Sequence, residues 1–525
     1  MESEQTFLGK PVKASITTFD RLIFKGHLPG LAYPAAVMGT LATFGQVLLK
    51  DWKAIVRPLS ARIHDHLERR CHDHKRPFIY LSSAHTHRDA QSKEAIARNI
   101  AKSRGITEGL VCVLRVLEPA SSFDVRGNRD THRLEIVRRR RRCLHYYVYL
   151  IDREFGWMHI RIQGWLPFTV QVYVNGREWT CRQLDKRGIG YRRSDNKIID
   201  VDDMNALVRA TRRLERMNWP RVLDRWAKAV NPLLPRLTGG DKNRGYYWVT
   251  DQCEYATDLL FKDRKTVEEL MPDLRSHAHV SLSVRDCFKF LGKRPSKAEA
   301  VVDIKRRPEG WRIKFRVGRN SVKVYDHANI IRFETTINHP GAFRVVRHED
   351  MAAQADNKDS RAIKPKKKPV RKGVRDFWLL ARIAGGCNQR MIASCDSIRT
   401  TQAAIDDLDT LARPKTVKGR HVPRINALDP RTVDLFKAIA DGANCMRGFA
   451  NGDLQARLYG RPTKDQKEKR RRISRIGRKI ACMRGHGLIA KISNANRYRI
   501  TRRGRSVIHA VIRFHDLEYA MPIAA

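Results

Sequence analysis

Apolar residues recur at two different periods along this 525-residue chain, and the change of period divides it into segments. "FIYL" (78–81) reads as a short strand. Ser92 then stands where it caps a helix with Ala95, Ile96, Ile100 and Ala101 on one face, "SRG" (103–105) stops that helix, and "GLVCVLRVL" (109–117) is a continuous apolar run. Strand, helix and buried strand predict a βαβ unit and a partly parallel sheet. Period two returns on both sides of "DREFG". Leu144, Tyr146, Val148 and Leu150 alternate with His145, Tyr147, Tyr149 and Ile151, and Met158, Ile160 and Ile162 alternate with His159, Arg161 and Gln163, which predicts an antiparallel hairpin.

Helical spacing takes over across 209–230, interrupted at Pro220. In "TDQCEYATDLLF" (250–261) the acids Asp251, Glu254 and Asp258 fall at i, i+3 and i+7, which on a helix is one face, able to hold a divalent metal or to stand solvated, with Asp251 as an N-cap. Residues 301–338 then alternate again, as four strands joined by "RRPEG", "GRN" and "DHAN". One face of this sheet takes Val302, Ile304, Trp311, Ile313, Phe315 and Val317. The other takes Asp303, Lys305, Arg312, Lys314, Arg316, Lys323, Tyr325, Arg332 and Glu334.

Residues 351–374 have almost no large apolar side chains and a Lys/Pro run, the composition of a basic linker, and 413–424 read as a second linker behind a short helical segment. The last hundred residues have a recognisable order. Asp429 and Pro430 open a helix that turns Val433, Phe436, Ile439 and Ala440 inward; "NGDLQARLYG" is a second; 464–487 is a third, with Ile473, Ile476, Ile480 and Met483 inward and Arg471, Arg472, Arg475, Arg478 and Lys479 outward. "LIAKI", "SNAN" and "RYRIT" make a hairpin with Asn494 and Asn496 at its tip and Arg497 and Arg499 on its return strand, and "RRGRSVIHAVIRF" closes the module as a helix. Three helices and a basic hairpin predict a winged helix-turn-helix.

Charge points to the partner. Lys and Arg number 104 against 55 Asp and Glu, a formal net charge of +49. A body so charged repels itself and attracts polyanions, nucleic acid foremost. Arg138, Arg139, Arg140, Arg141 and Arg142 run directly into the aromatic hairpin, where the strand "RLEIV" turns, so they are expected at a sheet end beside Tyr147, Tyr149 and Arg161, as a cationic groove with stacking rings. Ten cysteines carry no CxxC spacing and read as reduced thiols, and no stretch approaches the apolar length of a membrane span, which predicts a cytoplasmic protein that does not act on membranes.

The whole reads as an α+β multidomain chain: an α/β body over 1–240, a helix with the four-stranded basic sheet over 241–350, a linker at 351–374, a helical connector over 375–424 and the winged module over 425–525. "SKEAIARNIAKSRGITEGLVCVLRVLEPASSFDVRGN", "CLHYYVYL", "RRPEGWRIKFRVGRNSVKVYD" and "RGHGLIAKI" with "YRITRRGR" together resemble a family of roughly 500-residue basic bacterial proteins of unknown function, often labelled MarR-type from the C-terminal part. "VKVYDHANIIRFETTIN" is similar to a segment of phage and plasmid replication initiators, which implies a mobile-element setting and a nicking tyrosine; His85-Thr86-His87 and His277-Ala278-His279 have the His-x-His spacing of such enzymes. Three functions follow. The first is a binder of DNA or structured RNA that needs no cofactor. The second is a nickase, nuclease or replication-transposition initiator using Tyr325 with Asp303 and Glu334, which would call for Mg²⁺. The third is a MarR-like transcriptional regulator.

Overall fold

The structure is a computed structural model, and it describes residues 6–44, 48–82, 92–237, 245–278, 282, 286–294, 296, 298–308, 310–346, 367–395, 410–417, 419–427, 429–440, 448–460, 463, 465–493, 495–501, 503–505, 507–508 and 510–512. The chain is mixed α/β and forms two compact units, each discontinuous in sequence: residues 17–256 with 336–384, and residues 1–16 with 257–335 and 385–525. The chain therefore enters each unit more than once.

The first unit is built on a mixed sheet. Its elements in chain order are β1 (Ala14–His27), α1 (Trp52–Asp73), β2 (Phe78–Leu81), α2 (Lys93–Ser103), β3 (Gly109–Gly127), β4 (Leu134–Asp152), β5 (Gly156–Gln163), β6 (Val170–Asn175), α3 (Gly176–Asp185), α4 (Met204–Glu215), α5 (Trp219–Val230) and β7 (Tyr247–Leu260). The strand order β1-β6-β5-β4-β3-β2 is antiparallel except for β2 and β3, which run parallel with Phe78 opposite Val113. The expected βαβ unit is present: Ser92 caps α2 by accepting from the Ala95 amide, and α2 crosses over the sheet to bury Ala97 and Ala101 against Cys112, Leu114 and Val116. β3 and β4 are both 19 residues long, because the arginine run continues the strand instead of turning. The aromatic hairpin is thus the middle of this mixed sheet and not a separate antiparallel sheet. Helical 209–230 divides into α4 and α5, with Pro220 in the first turn of α5, where its missing N–H costs nothing.

One expectation fails outright. Residues 247–260 are the strand β7, so Asp251 is no N-cap, and the period of two puts it on the opposite face from Glu254 and Asp258.

In the second unit β8 (Ala300–Arg307), β9 (Gly310–Val317), β10 (Asn320–His327) and β11 (Ile330–Ile337) follow one another in the predicted order. The register pairs Ile304 with Ile313 and Val302 with Phe315 on one face, and Asp303 with Lys314, Arg312 with Tyr325 and Lys314 with Lys323 on the other. Phe290 packs edge-on against Phe315 at 5.2 Å on the apolar side. A 19-residue helix, α6 (Phe377–Cys395), sets Asn388 against the Thr335 hydroxyl at 2.6 Å.

Both proposed linkers need correction. Of 351–374, residues 351–366 lie outside the described residues, but Lys368 and Pro369 pair with Val345 and Arg344, and Val370 and Val374 are buried, so the segment's end is folded. Residues 415–417 and 420–422 form a β-hairpin, with Val422 packed so closely under Gly485 that a β-carbon there would lie 2.6 Å from it.

The C-terminal module has its own core. α7 (Pro430–Ala440), α8 (Asn451–Tyr459) and α9 (Gln466–Gly485) precede the short hairpin of β12 (Ile489–Lys491) and β13 (Tyr498–Ile500), and helical residues 503–505, 507–508 and 510–512 follow. Phe436, Ile439, Leu454, Ile476, Ile480, Leu488, Val507, Ile508 and Val511 are buried together. Phe449, just before α8, exchanges both backbone hydrogen bonds with Tyr498 at 2.8 and 2.7 Å, so the hairpin gains a third strand segment. Gly448, at φ +65°, permits that approach, since a β-carbon there would stand 2.5 Å from the Tyr498 carbonyl oxygen. Ile473, expected inward, is 44% exposed, because the core ends at Ile476 one turn later. Asn494 lies outside the described residues.

Arg332 and Asp258, both about 2% exposed or less, form a two-pronged ion pair at 2.6 and 2.7 Å. Removing one partner leaves a buried charge uncompensated, so Asp258→Ala is expected to lower stability by about 3–5 kcal/mol. Ile473→Gln is expected to shift it by less than about 0.5 kcal/mol. Denaturant midpoints of the two variants check this, and equal shifts would contradict the burial described for both sites.

Candidate nucleic-acid interface

The arginine run occupies the first half of β4. Residues 134–142 pair on one side with β3, from Gly127 to Pro119, while pairing with β5 on the other side begins only at His145. The run is therefore inside a long strand, at the part of the sheet where only β3 and β4 pair. Arg139, Arg140 and Arg142 are exposed and take part in no ion pair among the described residues. Arg138 donates to the Ala32 carbonyl and lies over the Phe123 ring at 5.6 Å, and Arg141 is half-buried over the Trp165 ring at 5.5 Å. Two cations are anchored and three are left to solvent.

From Cys143 onward the same strand is covered on both faces. α2 lies over Tyr147 and Tyr149, leaving them 7% and 2% exposed, and on the other face Tyr146 meets α1, its hydroxyl 3.1 Å from His64 Nδ1. Neither Tyr147 nor Tyr149 is open to a base, which corrects their assignment as stacking rings. Tyr147 donates to Glu118 at 2.8 Å, Lys93 donates to the same carboxylate at 2.6 Å, and Arg161, half-buried over Tyr147, approaches it at 4.0 Å. Burial opposes ionisation of Glu118, but those bonds outweigh it and hold the carboxyl below its usual range. Arg161 thus serves this half-buried carboxylate.

Where the exposed and covered halves of β4 meet there is a cleft of about 420 Å³, lined by Ser60, His64 and Asp65 of α1, Arg141, Arg142 and Tyr146 of β4, and Gly164 and Trp165 behind β5. Gly164 forms its floor: a β-carbon there would stand 2.7 Å from the Tyr146 ring. Trp165 is braced edge-on by Trp52 at 6.0 Å. Of this cleft, sequence reasoning found only the arginines. Ser60, His64 and Trp165 carry no motif and are gathered by packing.

The face of β8–β11 proposed as a basic surface is largely neutralised from within. Arg312 and Lys305 meet Asp303 at 2.9 and 3.6 Å, Arg316 meets Glu299 at 2.9 Å, and Lys323 meets Glu334 at 2.6 Å. Arg332 is buried on Asp258 and is corrected from a surface contact to an internal one. Lys314 forms no ion pair among the described residues; burial, then Lys323 and Arg312, lower its pKa, against the opposing pull of Asp303 across the strand pair. Tyr325 donates to Glu334 at 2.6 Å. Burial opposes the Glu334 charge, but Lys323 and the Tyr325 hydroxyl hold it ionised well below the usual range, which makes it a weak proton acceptor for a tyrosine nucleophile. His85, His87 and His279 lie outside the described residues, and His277 is buried. Of the three acids offered as metal ligands, Asp258 holds Arg332, Glu254 accepts from Gln252 and Thr336 at 2.9 and 3.3 Å, and Asp251 accepts from Gln171 at 3.5 Å.

In the C-terminal module Lys467, Arg471, Arg475 and Arg478 follow one face of α9, all exposed, and Arg499 is exposed on β13. The other candidates have internal partners. Arg472 bonds Glu468 and lies over Tyr459 at 4.6 Å, Lys479 reaches the Arg431 carbonyl at 3.4 Å, and Arg497 ties the hairpin to Gly448 and Asp453 at 2.7 and 3.0 Å. The nine described cysteines are all free thiols, Cys482 alone being half-buried and the rest buried, and no described helix is long and apolar enough to cross a membrane.

No protein-family model, curated protein or solved structure matches this chain.

The covered half of the sheet gives a pH signature. Burial, with Arg161 next, lowers the pKa of both His145 and His159 to about 4. Each is neutral when folded, and above about pH 6.5 it is neutral in either state. Between 6.5 and 4 the unfolded chain binds more protons, so stability falls as pH drops through that window. The midpoint of thermal unfolding is expected to decline from pH 7 to 4.5, and to decline less in His159→Gln; an unchanged slope would contradict a neutral, half-buried His159.

Proposed function

We propose that this chain binds nucleic acid, with one cationic surface in each unit. The observation that carries the reading is the arginine stretch of β3 and β4: a folded, two-stranded segment on which Arg139, Arg140 and Arg142 face solvent without a carboxylate partner among the described residues. A protein with 55 acids to distribute over 104 cations pairs them on the sheet face of β8–β11 and leaves Arg139, Arg140 and Arg142 without an ion pair among the described residues. A two-stranded β-ribbon fits the width of the B-DNA major groove, and guanidinium groups bridge phosphates or bond guanine edges.

The second surface is the C-terminal module, which we read as a winged helix-turn-helix. The order of α7, α8 and α9, the Phe449 bridge to β13 and the short hairpin support that reading. In it α9 is the recognition helix, its row of Lys467, Arg471, Arg475 and Arg478 turned to the groove, and the hairpin with Arg499 is the wing on the backbone. The nicking alternative draws no support from Glu334, whose charge is already compensated by Lys323.

Binding is expected to weaken steeply with salt, because each phosphate contact releases counterions. Anisotropy titrations of the full chain with duplex DNA and duplex RNA over a range of salt give the slope of log affinity against log salt. Replacing Arg139, Arg140 and Arg142 together by glutamine should lower that slope by about three, and replacing Arg471, Arg475 and Arg478 should do the same independently. A slope unchanged in both triple variants would refute the reading.

A further inference from the structure

On β5, β6 and β1 of the first unit the two sides of the sheet differ. Ile160, Val172 and Phe24 are buried on one side, while His159, Arg161, Gln171, Tyr173 and Lys25 on the other are half-buried and Arg21 is exposed. The register makes these neighbours, with His159 opposite Tyr173, Arg161 opposite Gln171 and Gln171 opposite Lys25. The apolar cluster beneath α2 takes in Tyr147, Tyr149 and Trp157 but not Tyr173, one strand further on. Three adjacent strands thus present one continuous polar face. The His159 and Tyr173 rings stack at 5.0 Å, and Arg21 lies over the Tyr173 ring at 5.6 Å. Among the described residues neither the Tyr173 hydroxyl nor the His159 ring nitrogens have a hydrogen-bond partner, and none of these atoms is closed to water.

The face is also cationic. The carboxylates around it are engaged: Glu118 holds Lys93 and Tyr147, Glu94 holds Arg98 at 2.8 Å, Asp20 holds Arg177 at 2.9 Å, and Asp251 accepts from Gln171 at 3.5 Å. Arg21 takes part in no ion pair among the described residues. Burial, then Arg161, Arg21 and Lys93, lowers the His159 pKa to about 4, so the ring is neutral and offers one donor and one acceptor. With the Tyr173 hydroxyl and the Gln171 carboxamide it makes a patch of mixed donors and acceptors, which complements the edge of an unpaired base; in a duplex those edges are already bonded to each other. A phosphate supplies the charge that complements Arg21. We propose that this face binds single-stranded nucleic acid, with base edges on His159, Tyr173 and Gln171 and a phosphate on Arg21. The proposal rests on the nucleic-acid reading above and adds an unpaired strand to the duplex surfaces argued there.

Anisotropy titrations of the full chain compare a labelled oligothymidylate with a duplex of the same length. Arg21→Ala should weaken single-strand binding about ten-fold, the size of one charge-assisted hydrogen bond converted to affinity, and Tyr173→Phe about five-fold, the size of one neutral bond. Duplex affinity should stay unchanged in both variants, which also shows that they fold. An oligothymidylate carrying photoreactive thiothymidine, irradiated in its complex with the wild-type chain, should give adducts in the peptides of β5 and β6. Adducts confined to the arginine run or to the C-terminal module overturn the proposal, and so does a single-strand affinity unchanged in both variants or an equal loss for duplex. A wild-type chain that binds duplex but not the single strand refutes this platform and leaves the nucleic-acid reading standing. A chain that binds neither refutes both.

Discussion

Self-repulsion is the constraint under which this chain folds. With 104 cationic side chains and 55 acidic ones, it lacks the carboxylates to neutralise every cation it carries. A buried charge without a partner costs far more than an exposed one, so the acids are worth most inside. The structure follows that rule. Arg177, 1% exposed, lies on Asp20 at 2.9 Å and on the Thr18 hydroxyl at 3.0 Å; Arg332 lies on Asp258; Lys323 lies on Glu334; and Glu118 collects Lys93 and Tyr147 beneath α2. Arg139, Arg140 and Arg142, which remain unpaired among the described residues, stay at the surface, where water and salt screen them. The exposed arginines of β4 and α9 are the remainder of that distribution.

A single strand, β4, expresses the same logic over 19 residues. Its second half is apolar and aromatic on both faces and takes a helix on each, which is stable because the side chains lose water and the backbone is bonded to β3 and β5. Its first half has arginines on both faces; Ile136 and, across the pair, Phe123 are buried there, while Arg139, Arg140 and Arg142 stay exposed. The sheet narrows there to β3 and β4. The cleft lies at that change of environment, where helix α1 and Trp165 come up to the last two arginines.

Periodicity was a good guide wherever one physical demand set it. The alternation in 301–338 predicted four strands and which residues share a face, because one face meets Phe290 and its neighbours while the other carries the polar side chains. The inward rows Val433, Phe436 and Ile439, and Ile476, Ile480 and Met483, were legible in the same way, since a small module turns its apolar stripes to one core. It misled at 247–260. There acids sit inside a strand buried on both faces, which erases the alternation, and their spacing of three and four imitates a helix.

By itself the sequence determined the local elements, the βαβ unit, the cationic excess and which residues carry charge, because those follow from chain-neighbour spacing and composition. Only the tertiary structure decided which of those charges and rings are available. Tyr147 and Tyr149 were removed from the surface by α2, Arg332 and Lys323 were satisfied by carboxylates on other strands, and Ser60, His64 and Trp165, about a hundred residues apart at the extremes, were brought to one cleft. Availability depends on what covers a side chain from across the fold, and a one-dimensional pattern carries no record of that neighbour.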